Sequence, residues 1–150
     1  MALKIGSKAP DFTLPCTNGK DFSLYQDMKG KSCVIYIYPK DFTEGCTKEA
    51  CSFRDSFERF RNLNISIFGI SRDDIETHHK FKKAYNLPFE LLSDKDGKVC
   101  KKYDALMPIL GLPMRITYLI DENMTIVGCY DSMFDAFGHI QKIIQQAEKR

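Results

Sequence analysis

Hydrophobic residues form two kinds of pattern along this chain, continuous runs and a three- and four-residue spacing. Each pattern predicts one type of secondary structure. Residues 33–38, Cys-Val-Ile-Tyr-Ile-Tyr, form an almost continuous β-branched and aromatic run, which is typical of a buried central strand. Pro39 ends this run. Shorter runs of the same kind predict further strands at 65–70, 89–92, 116–120 and 125–130.

Apolar side chains spaced by three and four residues predict the helices. Residues 46–63 carry one apolar stripe, formed by Ala50, Phe53, Phe57 and Phe60. A final helix carries a second stripe, formed by Phe134, Phe137, Ile140, Ile144 and Ala147. A helix at 73–85 with Asp73 or Asp74 as its cap, and a short one at 98–103, complete the set.

A β-hairpin is predicted at 11–24, before the first long strand. Asn18-Gly19 is the preferred pair for a tight type I′ turn. Apolar residues alternate with polar ones on both arms, at Phe12, Leu14, Phe22 and Leu24.

Strands that alternate with helices predict a sheet with helices on its faces, and the adjacent late strands predict that the sheet is mixed. We therefore expect an α/β protein with a thioredoxin-like fold: a mixed central sheet, flanking helices and an N-terminal β-hairpin extension. The whole of 1–150 is predicted to form a single domain.

Composition and charge narrow the classes of function. The net charge of +2 argues against a nucleic-acid binder, which usually has a strongly basic face. No apolar run is long enough to span a bilayer, and the N-terminus lacks the features of a signal peptide. We expect a cytoplasmic protein that binds neither nucleic acid nor membrane.

The chain has six cysteines, and in a reducing compartment most of them should be free thiols. Cys46 differs from the others because it follows a polar loop and lies at or near the first turn of a predicted helix. Unpaired backbone N–H groups and the helix dipole stabilise negative charge at that position. Cys46 is therefore the best placed of the six to be a thiolate nucleophile.

Cys51 lies five residues after Cys46 on the same predicted helix. Helix geometry places Cα atoms at this spacing roughly 8–9 Å apart, whereas a disulfide needs about 7 Å or less. If the two cysteines bond, the first one or two turns of the helix must unwind.

Together these residues resemble a known family. The spacing Pro39, Thr43, Cys46 is similar to the Pro-x-x-x-Thr-x-x-Cys motif of peroxiredoxins, the AhpC/TSA-like thiol peroxidases. The following Thr-Lys-Glu-Ala-Cys51 resembles the Q, or bacterioferritin-comigratory, subclass, and Arg115 matches the distal arginine of the family. The resemblance extends over nearly the whole chain, including 6–12 and 87–94.

The resemblance implies a role for each matched residue. Cys46 would attack a hydroperoxide and become a sulfenic acid, and Cys51 would then close a disulfide with it. Thr43 would hydrogen-bond the peroxide, Arg115 would stabilise the thiolate, and Pro39 would shield the site. The implied enzyme needs no cofactor and no metal, and a dithiol reductant such as thioredoxin would reopen the disulfide.

The chain departs from the family pattern at two positions near Cys46. Glu44 stands where proline is common and adds negative charge, and Phe42 stands where relatives often have an acid. We expect Phe42 to affect peroxide preference at the mouth of the pocket. Some relatives place the resolving cysteine on the next helix, around 80–83, where this chain has none.

Simpler interpretations exist for several of these residues. Cys46 and Cys51 could be metal ligands or an inert pair, and Cys100 is a rival resolving cysteine. Of the remaining residues, Cys33 and Cys129 are expected in the core, Cys16 at an exposed turn, and His78, His79 and His139 on the surface.

Two other functions remain possible from the residues alone. A thioredoxin-like disulfide oxidoreductase would need Cys-x-x-Cys, which this chain lacks. A redox-regulated binding module would share the thiol chemistry and expose a surface when the helix unwinds. Hydrogen peroxide and organic hydroperoxides are the substrates that the resemblance implies, and a monomer suffices when both cysteines lie on one helix.

Overall fold

A computed structural model describes residues 2–150, with two sheets and six helices among them. The strands are β1 (Thr13–Pro15), β2 (Asp21–Ser23), β3 (Ser32–Ile37), β4 (Ile65–Ser71), β5 (Glu90–Ser93), β6 (Ile116–Ile120) and β7 (Ile126–Asp131). The helices are α1 (Leu24–Asp27), α2 (Glu44–Asp55), α3 (Phe57–Asn62), α4 (Ile75–Ala84), α5 (Lys98–Lys102) and α6 (Ala136–Glu148).

The five-stranded sheet has the order β5-β4-β3-β6-β7, which places β3 at its centre. β3 runs parallel to β4 and antiparallel to β6, so the predicted mixed sheet is confirmed. The alternation of side chains along β3 explains why residues 33–37 are all apolar. Val34 and Tyr36 face the core under α2 and α6, while Cys33 and Ile35 face the core under the hairpin and α5.

The N-terminal hairpin forms as predicted, with β1 and β2 antiparallel, but its turn is not type I′. A type I′ turn needs positive φ at both central residues, and only Gly19 has it, at 87°. The Gly19 N–H instead bonds the Cys16 carbonyl, so the turn centres on Thr17 and Asn18 with Gly19 as a left-handed residue after it. The sequence pattern did not predict α1, a single turn that follows β2 directly.

The predicted helix at 46–63 is two helices. α2 begins two residues earlier than predicted, at Glu44, and ends at Asp55, and α3 starts at Phe57. Ser56 separates the two helices, with its N–H bonded to the Phe53 and Ser52 carbonyls. Phe53 and Phe60 are buried on either side of this break, so the apolar stripe continues across it.

The buried face of the last helix differs from the predicted stripe. Phe134 precedes α6 and is fully exposed, and Phe137 is 62% exposed. Helical period places His139 and Ile143 on the buried face instead, together with Ile140, Ile144 and Ala147. None of the helices within residues 2–150 combines the length and apolar character needed to cross a bilayer.

Candidate active site

Cys46 is the third residue of α2 and only 1% exposed, at the end of the sheet where β3 stops. Pro39 follows β3, and the loop turns through Phe42, whose φ of 65° is in the left-handed region. The helix then begins directly, so the Cys46 thiol lies in the first turn, as predicted. Unbonded N–H groups at this end of α2 favour an anion.

Arg115 lies immediately before β6 and reaches Cys46 across the sheet. Its Nη2 donates to Cys46 Sγ at 3.5 Å, and its Nε donates to the Met133 carbonyl at 3.0 Å. The side chain of Arg115 is only 6% exposed. The guanidinium is therefore a fixed cation beside the sulfur, and its planar fork binds several acceptors at once.

Glu49 is the functional candidate that the sequence analysis missed. Its Oε1 accepts from Arg115 Nη1 at 2.8 Å, while its Oε2 is buried without a hydrogen-bond partner among the described residues. Burial raises the pKa of Glu49 to about 8, although the charge and hydrogen bond of Arg115 act in the opposite direction. The available signal was a charged residue three positions after Cys46, on the same apolar helix face as Phe53.

His139 lies behind Glu49 and is fully buried, so the prediction of a surface residue was wrong. Its Nε2 faces the Ser132 carbonyl at 2.7 Å, and a carbonyl only accepts, so this nitrogen carries the hydrogen. Its Nδ1 then accepts from the Thr117 hydroxyl at 2.9 Å. Burial lowers the pKa of His139 to about 4, so the 3.6 Å approach to Glu49 Oε2 is not an ion pair at neutral pH.

Cys51 is half-buried and a free thiol, and it lines the same groove as Cys46. The groove has a volume of about 850 Å³. Pro39, Thr43 and Arg115 also line it, so all five residues singled out from the sequence meet at one surface. The intact α2 keeps the two cysteines on different turns, as their spacing predicts.

Thr43 is the N-cap residue of α2, but its hydroxyl does not cap the helix. The hydroxyl donates to the Lys40 carbonyl at 2.8 Å. Its single hydrogen is therefore used within the loop, and its lone pairs remain free to accept from a molecule in the groove.

The two departures from the family pattern differ in position, since Glu44 lines the groove and Phe42 does not. Phe42 is not among the residues that line the groove; its ring lies 5.1 Å from that of Phe81 on α4. The expected effect of Phe42 at the pocket mouth is therefore not supported. Glu44 is exposed and pairs with Lys48 at 3.1 Å.

The other four cysteines are poor thiolates. Burial raises the pKa of Cys33 to about 12 and that of Cys129 to about 11, and it also raises the pKa of Cys16 and Cys100. Cys16 is buried rather than exposed at the turn, and Cys129 is only half-buried. Cys100 is fully buried, which argues against it as a resolving cysteine.

A second cluster of polar side chains lies beside the loop, and its residue types are ones that bind metal ions. Ligand atoms of Asp41, Asp73 and His78 lie within 4.8 Å of one another. These atoms are already hydrogen-bonded, however: His78 Nδ1 lies 2.6 Å from Asp41 Oδ2, and Nε2 lies 2.9 Å from the Leu92 carbonyl. His78 is fully buried, contrary to the surface position predicted for it.

Comparisons with known proteins agree with the resemblance read from the sequence. The AhpC/TSA family matches residues 5–128. The chain is 42% identical to a putative peroxiredoxin bcp of Coxiella burnetii, over 96% of this chain and 98% of that protein. It is 44% identical to the chloroplastic peroxiredoxin Q of Oryza sativa subsp. japonica over 93% of this chain, but spans only 64% of that protein.

Solved structures resemble the whole fold. Peroxidoxin BcpB of Mycobacterium tuberculosis superposes with a TM-score of 0.91 at 31% identity, covering 98% of this chain and 97% of that one. A second structure is that of a bacterioferritin comigratory protein of Xanthomonas campestris, which is described for its alkyl peroxide reduction activity. It superposes with a TM-score of 0.84 at 26% identity, covering 92% of this chain and 90% of that one. The thioredoxin-like fold predicted from the element order is confirmed.

Proposed function

This chain belongs to the AhpC/TSA family as a peroxiredoxin, a thiol peroxidase, and we propose that Cys46 reduces hydroperoxides and Cys51 resolves the product. The observation that carries the proposal is the 3.5 Å contact between Arg115 Nη2 and Cys46 Sγ at the start of α2. A helix N-terminus and a buried guanidinium act on this sulfur together.

In the first step the Cys46 thiolate attacks the terminal oxygen of the peroxide. The S–O bond forms as the O–O bond breaks, leaving a sulfenic acid, and the leaving oxygen takes a proton from solvent and departs as water or an alcohol. Thr43 Oγ1 accepts a hydrogen bond from the peroxide, because its own hydrogen goes to Lys40. Arg115 donates to the sulfur and to the oxygens as negative charge moves between them. Pro39, at the wall of the groove, shields the sulfur from water.

In the second step α2 unwinds locally and Cys51 attacks the sulfenic sulfur. The S–S bond forms and water leaves, giving a disulfide between Cys46 and Cys51. A dithiol reductant of the thioredoxin type then reopens it by exchange.

The groove favours organic hydroperoxides alongside hydrogen peroxide. Its wall opposite α2 carries Met133, Phe134 and Phe137, and the two phenylalanines are exposed to the groove and to solvent. This apolar wall suits an alkyl group attached to the peroxide. The alkyl peroxide activity described for the Xanthomonas campestris relative supports the same substrate class.

Both cysteines lie on α2, so the cycle needs no residue from a second subunit, and a monomer of one domain over 1–150 suffices. We place the protein in the cytoplasm. The Coxiella burnetii relative is compatible with that compartment, whereas the rice relative is named as chloroplastic.

One equivalent of hydrogen peroxide added to fully reduced protein tests the proposal, with the thiols mapped by peptide mass. We expect a loss of two hydrogens at Cys46 and Cys51. Cys46→Ser should abolish peroxide consumption, and Cys51→Ser should trap an oxidised Cys46. Cys129→Ser is the matched control, because Cys129 is equally half-buried, and it should behave as wild type. A Cys46 that stays reduced in the folded protein refutes the proposal.

A further inference from the structure

Glu49 lies between the two cysteines, three residues after Cys46 and two before Cys51. A disulfide between them therefore encloses Glu49 in the segment that must unwind. The folded helix holds this carboxyl at 0% exposure, against the start of β6 and α6. Glu49 cannot keep that position when Cys51 moves onto Cys46.

Within residues 2–150, the ionisable groups around Glu49 provide a single cation. Arg115 contacts it from the start of β6, His139 from α6, Tyr36 lies close on β3, and Cys46 lies on its own helix. His139 and Tyr36 are neutral near pH 7, because burial lowers the pKa of the first and raises that of the second. A Cys46 thiolate and a Glu49 carboxylate would therefore share one guanidinium.

Burial of the carboxyl, which the charge of Arg115 only partly offsets, explains why it retains a proton in the folded site. The pKa of Glu49 is raised to about 8, and burial is the largest cause. A protonated Glu49 leaves the charge of Arg115 to the Cys46 thiolate. In the unwound segment the same carboxyl meets water, where a glutamate ordinarily ionises near pH 4.3.

We propose that Glu49 is a positioning residue that couples the unwinding of α2 to the release of a proton. The inference rests on the proposed disulfide between Cys46 and Cys51. Closure converts the Cys46 sulfenic acid and the Cys51 thiol into a disulfide and water. In the same step the Glu49 carboxylic acid becomes a carboxylate, and its proton goes to solvent.

The sign of the coupling follows from the raised pKa. The folded helix is favoured relative to the unwound segment while Glu49 is protonated, and this advantage is lost as pH rises from about 4.3 through about 8. Unwinding and disulfide closure therefore become easier over that range. Alkaline conditions favour the disulfide between Cys46 and Cys51, whereas acidic conditions favour the folded α2.

The test is the equilibrium constant for disulfide formation against oxidised and reduced dithiothreitol, measured at several pH values from 5.5 to 9. Samples are quenched with acid, alkylated and read by intact mass. Between pH 5.5 and about 7.5, the ratio of the wild-type constant to the Glu49→Gln constant should rise tenfold per pH unit. The reason is that wild type releases one proton more than the variant when the disulfide closes. For a two-electron couple the difference is about 30 mV per pH unit. Glu58→Gln removes an exposed carboxyl on α3 and should follow wild type.

Parallel pH profiles for wild type and Glu49→Gln would overturn the proposal. If Glu49→Gln does not fold, wild-type protein labelled with ¹³C-glutamate decides the question. The infrared band of a protonated glutamic acid should then disappear when the disulfide closes at pH 6.5, and a band that persists refutes the coupling. A protein that forms no Cys46–Cys51 disulfide contradicts the proposed function itself, so the two failures are distinct.

Discussion

Gly45 shows how one missing side chain permits the contact on which the site depends. A Cβ atom at this position would lie 2.9 Å from Arg115 Nη2, closer than real Cβ contacts allow. Cys46 is the next residue, and its Sγ accepts a hydrogen bond from the same Arg115 nitrogen. The absence of a Cβ lets the guanidinium pack closely against the start of α2, where it contacts both Cys46 and Glu49.

Gly45→Ala is therefore expected to slow the oxidation of Cys46 by hydrogen peroxide roughly 10- to 100-fold, since a shift of about 1 Å in a positioned group has effects of this size. The helix should survive, because alanine favours helix over glycine by about 1 kcal/mol. Competition with a second peroxidase for limiting peroxide measures the rate, and circular dichroism measures the fold. Thr47→Ala changes a position in the same helix that does not line the groove, and should keep the wild-type rate.

α2 must satisfy two opposing requirements at the scale of the element. Folded, it brings Cys46 and Glu49 to Arg115; unwound, it lets Cys51 reach Cys46. The stability of its first turns therefore determines the lifetime of the Cys46 sulfenic acid before Cys51 reacts with it. A longer wait leaves more time for a second peroxide to oxidise Cys46 to sulfinic acid.

Lys48 offers a matched pair of changes within this segment. It is exposed and pairs with Glu44, so Lys48→Ala and Lys48→Gly lose the same contact. They differ by about 1 kcal/mol in helix propensity, or about fivefold in the unwinding equilibrium. Lys48→Ala should accumulate more sulfinic acid than Lys48→Gly at the same excess of peroxide, measured by mass. Equal amounts, or the reverse order, would show that helix stability does not limit resolution.

At the scale of the whole molecule, a buried hydrogen-bond network joins the parallel half of the sheet to the active-site loop. The Tyr38 hydroxyl donates to Asp41 Oδ1 at 2.5 Å, and Asp41 Oδ2 lies 2.6 Å from His78. The other nitrogen of His78 faces the Leu92 carbonyl on β5, so it carries a hydrogen. The network thus ties the end of β3 to α4 and to β5.

Substitutions at the adjacent histidines His78 and His79 test how much this network contributes to the free energy of unfolding. His78→Leu leaves the Asp41 carboxyl buried without its partner, and breaking a buried pair in this way costs about 3–5 kcal/mol. His79 is exposed, so His79→Leu should change the free energy of unfolding by less than about 1 kcal/mol. Urea denaturation of both variants measures the difference. Similar losses for the two would mean that the buried pair contributes little to stability.

The pattern of the sequence determined the elements and the place of the nucleophile. β3 and β6 lie where their β-branched runs predicted, and Cys46 lies in the first turn of a helix. These features depend on side chains within one turn or one strand, which the sequence displays directly. The family resemblance added Arg115, which no local pattern distinguishes from a surface charge.

Only the tertiary structure decided which polar groups are buried and which of them meet. Glu49, His78 and His139 are ionisable side chains of a kind usually found at the surface, and the packing of α2, α4 and α6 against the sheet buries them. Arg115 is 69 residues from Cys46 in sequence, and the pairing of β3 with β6 brings it to the sulfur. Burial and contact of this kind depend on how distant elements pack, and that packing also raises the pKa of Glu49.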